Sequence, residues 1–168
     1  MKEYGELLAD DPVWAARAHA FSAKVKDVSE VMAELGTPRA PRHPIRATVV
    51  YHDACHLAHA QGVRAEPRDM LRTIPGLDVV SPAEPEICCG SAGIYNLVQP
   101  DAAAELGARK ADHIAALSPD VVATGNPGCM IQIEAAAARK GLHWTVVHPI
   151  QLLDASIRGA SLESLKNA

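Results

Sequence analysis

The sequence predicts an α/β fold: a small open parallel sheet of about four strands flanked by helices, with an N-terminal helical extension. Three observations predict it. From Arg46 onward, short and nearly all-apolar runs (TVVY, DVV, DVVAT and WTVV) alternate with Ala-rich stretches at helical spacing, as strands covered on both faces should. Aromatic residues make up 4% of the chain against an apolar fraction of 48%, so the core is to be built from Ala, Val, Leu and Ile. A length of 168 residues suits one ordinary domain that buries a core without disulfides or metal.

The N-terminal segment, 1–36, reads as a long helix. Asp10 and Asp11 offer caps, Pro12 suits a first turn, and Gly36 followed by Pro38 stops it. Trp14, Ala18, Phe21, Val25, Val28, Met32 and Leu35 recur at alternating steps of four and three, drawing a narrow apolar seam that wants a partner surface. Asp27 with Glu30 has the pattern of a second cap, which allows a break near Lys26. The Pro-rich run 37–45 is expected to be a linker, 46–158 the cysteine-rich α/β domain, and 159–168 a polar, frayed tail.

Within the domain, strands are predicted at Ala47–Tyr51, Leu77–Val80, Asp120–Thr124 and Trp144–Val147. One helix runs from Pro100–Asp101 to Ser118–Pro119, with Leu106, Gly107, Ile114 and Leu117 on a common face and a Glu105–Arg109 pair outside it. Another runs from Pro127 to about Lys140 and is stopped by Gly141. A last helix starts at Pro149 and carries Leu152, Leu153 and Ile157 towards Arg158.

A net charge of −4 speaks against a nucleic-acid partner, and the local basic stretch Arg39, Arg42, His43 and Arg46 reads as a solvated linker. No run approaches the length of a membrane span, and the start MKEYGELLADD lacks the order of a signal peptide. The expectation is a cytoplasmic protein, at most peripheral at the inner face of the membrane.

The cysteines gain meaning once laid on the predicted sheet. Cys55 lies just past the first strand, Cys88 and Cys89 follow the second, and Cys129 follows the third. Carboxyl ends of parallel strands share one edge, where ligands bind. Three segments therefore deliver thiols to one place, whereas cysteines that were merely buried hydrophobes should scatter onto helices and opposite loop ends. Cys88-Cys89-Gly90-Ser91-Ala92-Gly93 is a small-residue loop whose glycines let backbone N–H groups approach a bound anion. Gly125-Asn126-Pro127-Gly128-Cys129 sets Cys129 in the first turn of a helix, where the dipole favours thiolate. A reducing compartment leaves metal ligation, redox chemistry or burial as the uses of four thiols.

Tyr51-His52-Asp53-Ala54-Cys55-His56, Cys88-Cys89-Gly90-Ser91-Ala92-Gly93, Asn126-Pro127-Gly128-Cys129 and His148-Pro149-Ile150-Gln151-Leu152-Leu153-Asp154 together resemble the second cysteine-rich CCG domain of the glycolate oxidase iron–sulfur subunit. The wider family includes a heterodisulfide reductase subunit, the iron–sulfur subunit of anaerobic glycerol-3-phosphate dehydrogenase and lactate-utilisation proteins. The resemblance implies an iron–sulfur cluster, of 4Fe-4S type, held by Cys55, Cys88, Cys89 and Cys129, with Gly90, Ser91, Gly93, Asn126, Gly128, His52 and His56 around it. It also implies partner flavin-containing (FAD) dehydrogenase subunits that oxidise a small 2-hydroxy acid such as glycolate, the chain itself carrying no catalytic residue. Ferredoxin-like segments and a first CCG repeat, part of complete subunits of this family, are absent from these residues and are expected in cis in a longer parent or in trans.

One departure matters for the ligand set. The wider family pattern ends in Cys-Pro-x-Cys, whose first cysteine falls on Asn126, a residue that equally suits the N-cap before Pro127. Either four cysteines suffice, or a histidine, water or substrate completes the set. His52 and His56 flank Cys55, His59 lies one helical turn on, and His148 ends the fourth strand; capping or hydrogen bonding to sulfur is the commoner role for each. Asp53 is expected to cap the helix after the first strand or to orient a histidine, and Tyr95 and Asn96 read equally as packing or as substrate contacts. Three other uses of the chain stay open at this level: a structural zinc site, a labile vicinal thiol–disulfide pair, and an assembly module using the N-terminal seam.

Overall fold

The computed structural model describes residues 1–36 and 40–167. The N-terminal segment is three short helices, α1 (Tyr4–Leu7), α2 (Ala15–Ser22) and α3 (Val28–Leu35), and not one long one. Asp11 closes the turn before α2, its Oδ1 accepting from the N–H groups of Val13 (2.8 Å) and Trp14 (2.9 Å). The break comes where Asp27 and Glu30 form a reciprocal capping box that starts α3, two local hydrogen bonds that a continuous helix would forfeit. The apolar seam is thereby split: Ala18 is buried and Met32 packs on the core, while Trp14, Phe21 and Leu35 stay exposed.

Next come β1 (Ala47–His52), a π-helical turn over His56–Ala60, α4 (Glu66–Arg72), β2 (Leu77–Val80), α5 (Tyr95–Val98), α6 (Pro100–Ala115), β3 (Val121–Thr124), α7 (Pro127–Arg139), β4 (Thr145–Val147), α8 (Pro149–Arg158) and a 3₁₀ turn over Leu162–Asn167. The four strands form one parallel sheet in the order β2-β1-β3-β4. All four fall where the β-branched runs predict. One apolar layer, with Val49, Tyr51, Leu71, Ile74, Leu152 and Leu153, packs α4 and α8 on one face; the other, with Val50, Val122, Ile114 and Ile133, packs α6 and α7 on the opposite face.

Two peripheral expectations are corrected. The run before β1 is pinned down and not a free linker: His43 N–H donates to Ser156 O (2.8 Å), the Ser156 hydroxyl donates back to His43 O (2.7 Å), and Ile45 is buried. Residues 37–39, with Arg39 of the basic stretch, lie outside the described residues. The tail is not frayed over its described length, because Leu165 is buried and Ala160 and Leu162 pack on the core; Ala168 lies outside the described residues. In α6 the buried face is Ala103, Gly107, Lys110, Ala111 and Ile114, with Leu117 exposed, and Arg109 reaches across to Glu84 (Nε to Oε2, 2.7 Å) where Glu105 was its expected partner.

Helix α8 starts with a second capping box: His148 Nδ1 accepts from Ile150 N–H (3.3 Å) and Gln151 Oε1 from His148 N–H (2.7 Å). The cap needs an unprotonated Nδ1, and burial lowers the His148 pKa. An unfolded chain therefore binds more protons than the folded one once pH falls below about 6.5, and stability is lost as pH falls through that window. Urea unfolding at pH 7 and pH 5 should show this loss, and His148→Asn, which keeps an acceptor but not the titration, should show a smaller one.

Candidate metal centre

Each thiol reaches the site on a differently built segment. Cys55 follows β1 at the start of the π-helical turn and is half-buried. Cys88 and Cys89 sit in the loop between β2 and α5, the first half-buried and the second buried. Cys129 is buried in the first turn of α7, whose N-cap is Asn126: its Oδ1 accepts from Cys129 N–H (3.1 Å). That oxygen is committed to the cap, where it holds the backbone of Cys129.

The thiols are neighbours in succession: Cys55 and Cys88, Cys88 and Cys89, and Cys89 and Cys129 each come close enough to shift one another's ionisation. Backbone N–H groups approach the same atoms: Gly90 N–H donates to Cys88 Sγ (3.3 Å), and the Ser91 backbone favours the ionised form of Cys89. Close neighbours and burial make thiolate formation unfavourable in the metal-free chain. The Cys89 thiol is pushed up to about 11, first by the neighbouring Cys129 thiol; Cys88 is raised first by the neighbouring Cys89, and Cys55 by burial. A bound cation is the natural compensation for these crowded thiols.

His52, at the carboxyl end of β1, is 1% exposed, and neither ring nitrogen has a hydrogen-bond partner. Among the described residues, one group of potential metal donors stands out: a His52 ring nitrogen and the Cys89 and Cys129 sulfurs lie within 4.8 Å of one another. Burial and the nearby Lys110 charge lower the His52 pKa to about 3, keeping the imidazole neutral and able to ligate. Thr124, the register partner of His52 on β3, also has a buried and unpartnered hydroxyl. Such unpaired groups are costly in a closed interior, so the donor set fits a bound thiophilic group that takes up their bonding capacity. His56, by contrast, is exposed, and exposed His59 contacts Arg64 (3.1 Å).

Backbone shape brings the two cysteine loops together. Gly90 has φ +94°, and a Cβ there would stand 2.4 Å from Ala103 O on α6. A Cβ on Gly128 would stand 2.9 Å from Ser91 Oγ, so the CCG loop and the start of α7 touch. Gly93 also has positive φ (+68°) but faces open space, which makes it a turn residue. Asn96 Nδ2 reaches Gln132 Oε1 at 3.5 Å, a packing contact.

Residues 49–134 match the model of the CCG family, described as a cysteine-rich domain. The chain belongs to the CCG cysteine-rich domain family. The CCG chain is 37% identical over 164 residues to the probable glycolate oxidase iron-sulfur subunit of Bacillus subtilis (strain 168), covering 91% of this chain and 35% of that protein. It is 38% identical over 137 residues to a fumarate reductase (CoM/CoB) subunit of Methanothermobacter marburgensis, covering 81% of this chain and 28% of the relative. Lactate utilization protein A of Exiguobacterium sp. is 28% identical over 162 residues, with 95% of this chain and 65% of that protein covered. The CCG chain thus spans from under a third to about two thirds of these relatives' lengths.

Two contributors to the CCG site escape the sequence reading. Asp53 neither caps a helix nor orients a histidine: it forms a bidentate ion pair with Arg68 (2.7 and 2.6 Å), whose guanidinium also stacks 4.6 Å from the Tyr51 ring centroid. Nothing in the spacing of residues 53 and 68 signals that pair. Lys110 is wholly buried, and its signal was available, since it interrupts the apolar face of a helix.

Arg68→Met should cost about 3 kcal/mol in chemical unfolding, because Asp53 is left buried without its partner. Gly90→Ala should destabilise by about 2 kcal/mol, from the positive φ and the clash with Ala103, and should also lower the amount of metal retained. An alanine variant that binds metal as wild type does would show that the loop position is not required.

Proposed function

We propose that the chain is an iron–sulfur electron-transfer domain, with Cys55, Cys88, Cys89 and Cys129 as thiolate ligands to a 4Fe-4S-type cluster and residues 46–158 as the functional unit. The observation that supports this reading is the approach of thiols from three separate loops, with the Cys89 and Cys129 sulfurs within 4.8 Å of each other and of a His52 ring nitrogen. When bound, the cluster supplies reversible one-electron storage. The chain's own residues do the rest: the CCG loop turns the Gly90 N–H towards Cys88 sulfur, Gly128 lets that loop approach α7, Asn126 holds the backbone of Cys129, and buried His52 supplies a neutral nitrogen.

The parent assembly is read as a flavin-dependent glycolate or related 2-hydroxy-acid dehydrogenase. In that reading electrons pass from an FAD-bearing subunit through this domain to an acceptor, and hydroxy-acid oxidation takes place on the partner. The names carried by the Bacillus subtilis and Exiguobacterium relatives support it, as does the relatives' greater length, which leaves room for further redox segments. Among the described residues no helix is long and apolar enough to cross a membrane; we place the assembly in the cytoplasm, at most at the inner membrane face. A mononuclear zinc centre is the second reading, favoured by the close grouping of His52, Cys89 and Cys129.

Anaerobic reconstitution with iron and sulfide, followed by metal and acid-labile sulfide analysis, separates the two. The iron–sulfur reading expects both elements at near-stoichiometric levels and a visible absorption that bleaches on reduction. Cys88→Ser or Cys89→Ser should remove most of that absorption with little loss of helicity. Stoichiometric zinc and no sulfide after the same treatment would establish the alternative.

A further inference from the structure

One ionisable group lies within the site and is unused by the reading above. Lys110 is 0% exposed on the face of α6 that cradles the CCG segment. Three successive positions of this face meet that segment in order. Ala103 O abuts Gly90, Gly107 lies against the Cys89 carbonyl (3.4 Å from a Cβ built there), and Lys110 Nζ donates to Glu84 O (2.9 Å) and Pro85 O (3.3 Å). The direct partners of the ammonium are neutral carbonyl oxygens on the approach to Cys88. Burial lowers the Lys110 pKa, and the groups that oppose this by favouring its charged form are Asp53, Cys89, Glu84 and Cys88. Asp53 is already paired with Arg68, and Glu84 with Arg109. The thiols are therefore the sites where negative charge can still develop opposite Lys110. His52 also feels the Lys110 charge.

A buried ammonium that meets only carbonyls is costly, and the cost is relieved when neighbouring thiols ionise around a bound cation. We propose that Lys110 is the countercation of the thiolate site: it clamps the turn at 84–85 that leads into the CCG loop, and its charge favours the reduced, more negative state of the centre held there. The proposal rests on the iron–sulfur reading, and it assigns a positioning and potential-setting role to a residue that need not touch the metal. A fixed positive charge stabilises an added electron in a poorly solvated site, so its removal makes the centre harder to reduce.

The test compares three variants of the chain, each reconstituted anaerobically, by iron and sulfide content and by EPR-monitored redox titration. Lys110→Gln removes the charge but keeps an N–H donor for the carbonyls; Lys110→Arg keeps the charge. The expected result is full loading of both. The reduced-to-oxidised ratio at fixed potential should fall at least tenfold in the glutamine chain, about 59 mV for one electron, and stay within about twofold of wild type in the arginine chain. Lys110→Met, which needs no polar partner, gives the same readout should the glutamine chain not load. Uncharged variants that load fully and titrate like wild type overturn the assignment, as does an arginine chain shifted as far as the glutamine one. A wild-type chain without iron and sulfide instead defeats the reading beneath it, so the two failures are told apart.

Discussion

Parallel pairing is the constraint on which the rest of the molecule depends. Because β1, β2 and β3 run the same way, their carboxyl ends share one edge, and the chain leaving each strand begins at that edge. Cys55 and Cys129 follow β1 and β3 within a few residues, and the loop leaving β2 carries Cys88 and Cys89 back over α6. Sulfurs tens of residues apart in sequence become neighbours because the sheet decides where each loop starts. An antiparallel β2 would carry its cysteines to the opposite edge.

Convergence has an electrostatic cost that the local structure manages. Crowded thiols resist ionisation, as the raised Cys55, Cys88 and Cys89 values register. Against this, Gly90 in the CCG loop turns its N–H towards Cys88 sulfur, and Lys110 lies buried behind the loop with its ammonium on the 84–85 carbonyls. Neutral His52 and the Thr124 hydroxyl, both unpartnered, leave bonding capacity for a guest. A core built only for stability would not combine orphaned polar groups, raised thiols and a buried cation in one place.

Much of this was legible in the sequence, for identifiable reasons. All-apolar β-branched runs have one reading between helices, so the four strands fall within a residue or so of those runs, while Pro127 with Gly141 marks α7 and Pro149 the start of α8. The thiol meeting point followed from strand direction alone. What was not legible depends on tertiary contact: the Asp53–Arg68 pair joins β1 to α4, and Arg109 chose Glu84 over a helical neighbour because the loop before Cys88 folds across α6. The N-terminal seam misled because periodicity counts apolar residues but cannot weigh the Asp27–Glu30 box against helix continuation. The tail misled because its polar residues hid the anchoring positions Ala160, Leu162 and Leu165.

The central claim is spatial, that sulfur from three loops surrounds one bound group. Diffraction at the iron absorption edge, from crystals of the anaerobically reconstituted protein, tests it most directly. The account predicts one anomalous feature at the carboxyl edge of the sheet, bordered by the sulfurs of Cys55, Cys88, Cys89 and Cys129 with His52 beside them. Iron held by a single loop, or sulfurs turned into separate apolar interiors, would contradict it.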